Sequence, residues 1–232
     1  IHHLVIAKNI PIEEAIKWKP DAAIICNPAP FHLELSLILG REKIPLLIEK
    51  PIGSGSELKA SWQELIRISN YTPMLVGYQL RFDPCSRFIK DILKIGKYGK
   101  VVEADFYCGS WLPDWRQDID YRKSVSAKEN LGGGVLLELS HEIDLANWIF
   151  GDLKIIGCSI GKSGNLEIET CDNAAIILRN SQDVLITIRI NFCSKPEKRF
   201  LNIRTNKADI KWNLLEKSIE INKGDKNKRI LG

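Results

Sequence analysis

Three short apolar runs, separated by segments with helical spacing, most strongly constrain the fold of this chain. The runs lie at residues 21–26, 44–48 and 74–78, and each has the length and composition of a strand buried on both faces. Helical periodicity fills the intervals at 31–39 and 54–69. Strands that alternate with helices through short loops form parallel, right-handed crossover units. We therefore predict a partial Rossmann-like parallel sheet.

The rest of the chain has a different pattern, in which strand-like segments dominate. A helix is predicted at 85–95 and another at 135–150, and strands are predicted at 101–107, 154–160, 174–178, 184–192, 200–205 and 208–212. Apolar residues alternate along the fourth of these strands, which indicates a sheet with one covered face. The predicted class is α/β, with the parallel sheet in a domain at 1–80 and a mostly antiparallel sheet in an α+β domain at 81–232.

Composition excludes several classes of protein. The chain has 232 residues, 44% hydrophobic and 27% charged, which suits two modest domains. Its net charge of +4 is spread out, and the only dense basic run, 223–229, is interpreted as a solvated turn or frayed tail. The sequence has no basic stripe interleaved with aromatic residues, so we do not expect nucleic-acid binding. No apolar stretch approaches the roughly 20 residues that span a bilayer, so we expect no membrane partner.

The cysteines and the chain start bear on location and completeness. The six cysteines stand singly, without the close pairs typical of zinc sites, so we predict no metal site and a reducing, cytoplasmic location. The sequence begins at Ile1 and its only methionine is Met74. We therefore expect an N-terminally incomplete chain.

Polar residues follow two of the predicted parallel strands. Asn27 and Pro28 come after the first strand, and Glu49, Lys50 and Pro51 come after the second. Carboxyl ends of parallel strands form the ligand site of such sheets, so both groups are expected at one edge. A residue before proline is forced into an extended conformation, which fixes the direction of the lysine. Its ammonium group either transfers a proton to or from a substrate hydroxyl or is a surface lysine at a strand end.

A second candidate site begins with three glycines at 132–134. The predicted helix that follows carries Glu138, His141 and Asp144. Residues three apart share a helix face, so Asp144 can orient or recharge a proton-shuttling His141. The alternative is a buried core histidine beside a polar residue of the helix face. The glycines either let backbone approach a cofactor or form a flexible turn.

Taken in order, residues 21–32, 49–51, 77–84 and 132–151 resemble the Gfo/Idh/MocA family of NAD(P)-dependent oxidoreductases. The resemblance implies a Rossmann domain followed by a sheet domain that holds a small sugar-type substrate and often mediates homo-oligomers. It also implies NAD or NADP as cofactor, and hydride transfer between C4 of the nicotinamide and a carbinol carbon of a sugar, cyclitol or nucleotide-linked sugar.

The resemblance also assigns roles to residues. Lys50 and His141 match the catalytic lysine and histidine. The positions that match the nicotinamide side of the cofactor cleft, with an arginine between the domains, are Asn27, Pro28, His32, Glu49, Lys50 and Arg81. The family more often has an aspartate four residues before the histidine. Here that position is Leu137, so Glu138 is the predicted carboxylate and Asp144 the alternative.

The resemblance leaves the cofactor type open. The sequence contains neither the family's glycine-rich fingerprint nor the acidic residue that reads the ribose, so NAD and NADP are not distinguished. A non-catalytic sensor that binds a dinucleotide through the same fold is the alternative function. Glycoside cleavage through transient oxidation, as in some members of the family, is a third possibility.

The aromatic, charged segment 111–122 precedes the glycine run. It resembles members of the family associated with surface-polysaccharide and nonulosonic-type sugars. Aromatic rings stack on sugars, and arginine binds phosphate or carboxylate bidentately. The predicted substrate-binding residues are therefore Trp115, Arg116, Tyr121 and Arg122, together with Lys50 and His141. The alternative is an ordered lid packed by its own aromatic residues.

Overall fold

The structure, a computed structural model, describes residues 10–224 and 226–231. Contacts divide the chain into two units, one ending at Gly77 and the other beginning at Tyr78. Each unit has its own hydrophobic core.

The first unit is a parallel sheet with its strands in the order β1-β2-β3. Its strands are β1 (Ala23–Ile25), β2 (Leu46–Ile48) and β3 (Met74–Val76), and its helices are α1 (Ile12–Lys17), α2 (His32–Arg41) and α3 (Lys59–Ser69). The apolar runs of the sequence supply the core, which contains Ile25, Leu39, Ile44, Leu46 and Ile48. The prediction of parallel strands alternating with helices is confirmed.

Helix α3 begins five residues later than predicted. The predicted start, Ser54, lies in a turn in which the Glu57 carboxylate accepts the backbone N–H groups of Ser54 and Gly55 at 2.6 and 2.8 Å. Gly55 has a φ of +86°, which favours glycine. These bonds satisfy the polar backbone locally, so the helix starts only at Lys59.

The second unit is built on an eight-stranded sheet in the order β11-β10-β9-β8-β4-β7-β6-β5. The strands are β4 (Val101–Trp111), β5 (Leu153–Gly161), β6 (Asn173–Asn180), β7 (Leu185–Asn191), β8 (Cys193–Thr205), β9 (Asp209–Asn213), β10 (Ser218–Lys223) and β11 (Lys226–Leu231). The pair β4–β7 is parallel and the remaining pairs are antiparallel. The predicted fold class is confirmed.

Helices cover one face of this sheet. They are α4 (Pro84–Lys94), α5 (Val135–Glu138) and α6 (His141–Phe150). The Asp83 side chain caps α4 by accepting the N–H groups of Cys85 and Ser86. Helix α6 contacts β4 and β7, the parallel pair in the middle of the sheet.

Two sequence predictions for this unit were wrong. The single helix predicted at 135–150 is two helices, because Leu139 leaves helical geometry with a φ of −101° and a ψ of 31°. The basic run at 223–229 contributes to β10 and β11, which pair as antiparallel strands. Within the part of the chain that the structure describes, no helix has the length and apolarity to cross a membrane.

Candidate functional site

The carboxyl ends of the parallel strands carry the predicted residues of the first unit. The backbone N–H of Glu49 donates to Ile25 in β1, and that of Gly77 donates to Ile48 in β2, each at 2.8 Å. Lys50 therefore follows the central strand of the sheet and is half-buried there. Pro28 precedes the short 3-10 turn that leads from β1 into α2.

His32 joins the loops that follow β1 and β2. It begins α2 and is only 1% exposed. Its Nδ1 lies 2.7 Å from the carbonyl oxygen of Pro51, and its Nε2 lies 2.5 Å from that of Asn27. The structure thus brings together the loops that carry Asn27 and Lys50, as predicted from the strand ends.

Asn27 carries the most informative polar atom of this edge. Its side-chain oxygen is buried and has no hydrogen-bond partner among residues 10–224 and 226–231. A buried acceptor without a donor is destabilising by about 1–3 kcal/mol, so such atoms mark positions that a ligand can satisfy. The atom lies in the loop to which the resemblance assigns the nicotinamide. These residues therefore fit a group that offers an N–H or O–H donor, as a carboxamide or ribose does.

The second candidate site lies in the other unit, around the first residue of α6. His141 is 8% exposed, and its ring meets that of Tyr78 edge to face, with 5.6 Å between centroids and an interplanar angle of 84°. Burial raises the pKa of Tyr78, while Ser140 and Arg81 act to lower it and Asp144 adds to the rise. The Tyr78 phenol therefore stays protonated at neutral pH, and its ring packs against the His141 imidazole.

Two arginines hold α6 in place through its first-turn carboxylates. Arg81 donates to Asp144 through Nε and Nη2, at 2.8 and 2.5 Å. Arg199, on β8, donates from Nε to Glu142 at 2.7 Å, and the Glu142 side chain is 3% exposed. The hydrogen bond to Asp144 raises the pKa of Arg81. Burial acts to lower the pKa of Arg199, but the Glu142 carboxylate outweighs it and the pKa rises.

These pairs involve two residues with predicted roles. Arg81, predicted beside the cofactor, has its guanidinium on Asp144, and both Asp144 oxygens accept from that arginine. Asp144 therefore anchors the helix that carries His141. Glu138 ends α5 and is half-buried, with the helix break between it and His141.

The glycine run is a tight packing element. A side-chain carbon on Gly133 would lie 2.1 Å from the carbonyl oxygen of Val125 and 2.7 Å from that of Ser126, so only glycine fits. The next residue, Gly134, donates its N–H to Ser126 at 3.0 Å and has a φ of +105°. The start of α5 is thus fixed to the preceding segment, contrary to the hypothesis of a flexible turn.

That preceding segment forms a recess in the second unit. Its cavity volume is about 20 Å³, and its lining residues are Leu112, Trp115, Arg116, Ile119, Tyr121, Ser124 and Ser126. Trp115 is fixed by a 2.7 Å hydrogen bond from Nε1 to Ser110 and by an edge contact with Phe192. The structure therefore brings Trp115, Arg116 and Tyr121 together.

Arg122, the fourth predicted substrate residue, lies outside the recess lining. Its guanidinium donates to both oxygens of Asp120 and, at 3.2 Å, to Glu167. The neighbouring Tyr121 hydroxyl accepts the N–H of Glu167 at 3.3 Å. Arg122 and Tyr121 thus tie the segment to the loop before β6.

Sequence reasoning did not identify Tyr78, Glu142 or Arg199. Tyr78 and Glu142 stand inside motifs that carry the family resemblance, so their positions offered a signal. Arg199 is 57 residues from Glu142 and belongs to no motif, so only the three-dimensional structure reveals the pair.

Comparison with known proteins identifies the family. The model of the GFO/IDH/MocA C-terminal domain matches residues 86–211, more than half of the chain. The chain belongs to the GFO/IDH/MocA family. The predicted resemblance is confirmed by this match.

Among curated proteins, the chain is similar to inositol 2-dehydrogenase 2 of Saccharopolyspora erythraea, with 24% identity over 173 residues. The alignment covers 73% of this chain and 47% of that protein, so the chain spans about half the length of the curated relative.

Solved structures share the fold. An inositol dehydrogenase homologue from Azotobacter vinelandii, complexed with NAD+, matches 91% of this chain and 57% of that chain, with a TM-score of 0.79 and 12% identity. Levoglucosan dehydrogenase in complex with NADH and levoglucosan matches 90% and 60%, with a TM-score of 0.77 and 14% identity.

Proposed function

We propose that this protein is an NAD(P)-dependent oxidoreductase that transfers a hydride between the nicotinamide and a CH–OH or carbonyl carbon of a sugar, cyclitol or nucleotide-linked sugar. Residues 1–80 are assigned to the cofactor and residues 81–232 to the substrate and to oligomerisation. The observation that carries the proposal is the position of Lys50 at the carboxyl end of the central parallel strand, in a chain of this family. The names of the relatives support the same class of reaction.

The cofactor is assigned to the edge formed by Asn27, Pro28, His32, Glu49 and Lys50. The buried Asn27 oxygen supports this assignment because it offers an acceptor that the described protein atoms leave unused. His32 joins that loop to the one that bears Lys50. When bound, the nicotinamide supplies or accepts the hydride.

Lys50 and His141 are assigned to the proton path. An alcohol carbon that loses a hydride must also release its hydroxyl proton, and a positioned amine or imidazole accepts it. Lys50 would hold the hydroxyl, and His141 would take the proton. Glu138 is the carboxylate assigned to assist His141, and Arg81 acts on that site through Asp144.

The test is a titration with NADH and NADPH followed by a panel of sugar and cyclitol oxidations monitored through reduced nicotinamide. We expect saturable dinucleotide binding and turnover of at least one substrate. Binding without turnover across the panel would favour the sensor, and release of an aglycone with catalytic NAD would identify glycoside cleavage. Failure to bind either dinucleotide would contradict both readings.

We assign homo-oligomer formation to the edge of the large sheet. Strand β5 and its neighbour β6 expose apolar side chains at Ile155, Ile156, Ile160 and Ile177, which are 43–66% exposed. Exposed apolar patches of this kind mark contact surfaces. Light scattering should give a mass above that of the monomer, and Ile177→Glu should lower it.

The cytoplasm is the location that the cysteines favour. All six are free in the structure, including the exposed Cys26 and Cys158. Free thiols persist in reducing compartments. Fractionation that places the protein in an oxidising compartment would contradict this assignment.

A further inference from the structure

The arginines of the chain differ in one respect that bears on the substrate. Within residues 10–224 and 226–231, every arginine except Arg116 directs its guanidinium at a carboxylate, a carbonyl oxygen or an aromatic ring. Arg116 has no hydrogen bond, ion pair or ring contact of its guanidinium in that part of the chain. A guanidinium offers five donors in a planar fork, so Arg116 retains its full capacity for a ligand.

Arg122 is the informative contrast, because it lies in the same segment. Its Nε and Nη2 donate to Asp120 at 2.9 and 3.0 Å, and its Nη1 donates to Glu167 at 3.2 Å. The same hydrogen bond from Arg122 is the main cause of the lowered pKa of Asp120. The Arg122 guanidinium is thus already paired with two carboxylates, which compete with a substrate anion for its donors.

The recess beside Arg116 has a matching chemistry. Apart from Arg116, its lining consists of apolar, aromatic and hydroxyl side chains, and none of them is a carboxylate. In the sequence, Asp114 and Asp118 each lie two residues from Arg116, but neither lines the recess, and Asp114 is bound to Lys195 at 3.5 Å. An anion in this recess would therefore meet one cation and no negative side chain of the lining.

The recess also lies next to the assigned catalytic helices. Ser126, one of its walls, accepts the N–H of Gly134 at 3.0 Å, and Gly134 precedes α5. Glu138 is four residues further on, which is about 6 Å of helix rise. A sugar ring that reaches from the Glu138 and His141 region would thus place its substituents at the recess.

We propose that Arg116 binds an anionic substituent, a carboxylate or a phosphate, of the sugar-type substrate, and that Trp115 and Tyr121 flank the sugar beside it. This proposal rests on the proposed function and adds the substrate class to it. Arg122 has a structural role in the same segment, which it holds through Asp120 and Glu167. A bidentate guanidinium distinguishes such a substrate from its neutral counterpart.

The experiment measures equilibrium binding of three probes to the dinucleotide-loaded protein by calorimetry. The probes are glucuronate, glucose 6-phosphate and glucose, which share a ring and differ in charge. Arg116→Gln removes the cation, Arg116→Lys keeps charge without the fork, and Arg179→Gln is the matched control on the surface. Arg116 is exposed, so its variants should fold, and circular dichroism checks this.

We expect at least one anionic probe to bind more tightly than glucose, and Arg116→Gln to weaken that probe by about 10- to 100-fold. Arg116→Lys should be intermediate, and Arg179→Gln should match the wild type. The probe that responds identifies carboxylate or phosphate as the anion. A wild-type protein that binds none of the probes, or that prefers glucose, would overturn the proposal, as would an Arg116→Gln variant with unchanged affinities.

Turnover of the same probes separates this proposal from the proposed function. Loss of anion binding in Arg116→Gln without turnover of any sugar supports the anion site and contradicts the oxidoreductase assignment. Turnover of sugars with an anion preference that Arg116→Gln leaves intact supports the oxidoreductase and contradicts the anion site.

Discussion

In the first unit, Lys50 follows a strand and its loop is held by a buried histidine that contacts backbone carbonyls. In the second unit, His141 begins a helix whose first turn is held by two arginine–carboxylate pairs. The first arrangement depends on hydrogen bonds to the main chain, and the second depends on side-chain charge. Both place a proton-transfer candidate at the end of a regular element.

The difference predicts how each site responds to substitution. A loop held through carbonyl oxygens tolerates changes in the side chains of that loop, because the acceptors belong to the backbone. A helix held through partly buried ion pairs is vulnerable to loss of either partner, since the remaining charge keeps its desolvation cost and loses that counter-charge. Substitution of His32 should therefore disrupt the first site most. The second site should be disrupted by substitution of any member of its two arginine–carboxylate pairs.

Lys50→Ala gives the largest expected effect, because it removes chemistry and leaves the fold intact. We expect turnover to fall by about 10²- to 10⁴-fold, the usual contribution of a positioned acid or base. Dinucleotide affinity should change little, and fluorescence titration with NADH measures it. Lys59→Ala, at the exposed start of α3, is the control. Wild-type turnover in Lys50→Ala would remove the lysine from the proton path.

Arg199→Ala tests the charge-dependent anchor of α6. It removes the Arg199 guanidinium from the buried Glu142 carboxylate, and breaking a buried pair in this way costs about 3–5 kcal/mol of unfolding free energy. Denaturant titration measures the loss. Arg204→Ala breaks the exposed pair with Glu103, where we expect about 0–1 kcal/mol. Equal losses in the two variants would contradict the contrast between buried and exposed pairs.

His32→Ala tests the hydrogen-bonded clamp of the first unit. Two carbonyl oxygens lose their partner, so we expect about 2–4 kcal/mol of destabilisation. Hydrogen exchange should show faster opening of the loops after β1 and β2 than in Glu34→Ala, the control on the exposed face of α2. If these loops keep wild-type protection from hydrogen exchange, His32 does not hold them and the contrast between the two units is wrong.

Asp172 gives the smallest effect and tests acid sensitivity in the second unit. Burial acts to raise the pKa of Asp172, but hydrogen bonds from Ser163 and Asn173 outweigh it and lower the pKa. A lowered folded-state pKa adds stability above the unfolded value, about 3.9, and this stability is lost as pH falls towards the folded-state pKa.

Asp172→Asn should therefore cost about 1 kcal/mol at neutral pH, with a difference from wild type that shrinks below about pH 4. Thermal unfolding across this pH range measures it, with the exposed Asp152→Asn as control. A difference that grows on acidification would show that the sign is wrong.

The sequence predicted the strand ends of the first unit because the relevant signals are local. An apolar run followed by a proline identifies both a strand and its end, which located Asn27 and Lys50 correctly after β1 and β2. The α3 start was wrong because Glu57 makes a side-chain turn that mimics a helix cap.

The second unit was predicted less completely, because its site depends on distant pairs. The apolar periodicity of 135–150 continues across Leu139 without a glycine or proline, so the helix break carries no sequence signal. Arg199, which pairs with Glu142 of α6, lies on β8. In β10, Ile219 and Ile221 alternate with polar residues, which is typical of a strand. The strand was not predicted because the lysine-rich run that follows was interpreted as a turn or tail.

The close packing of Gly133 against the Val125 and Ser126 carbonyls limits how this member of the family can be re-engineered. A variant in which residues 111–126 alone are replaced would have to keep the same main-chain path at Val125 and Ser126, because there is no room for a side chain on Gly133. Exchange of this region between homologues therefore requires that the aromatic segment 111–122 and the glycines 132–134 be transferred together, as one continuous piece that ends after the first turn of α5.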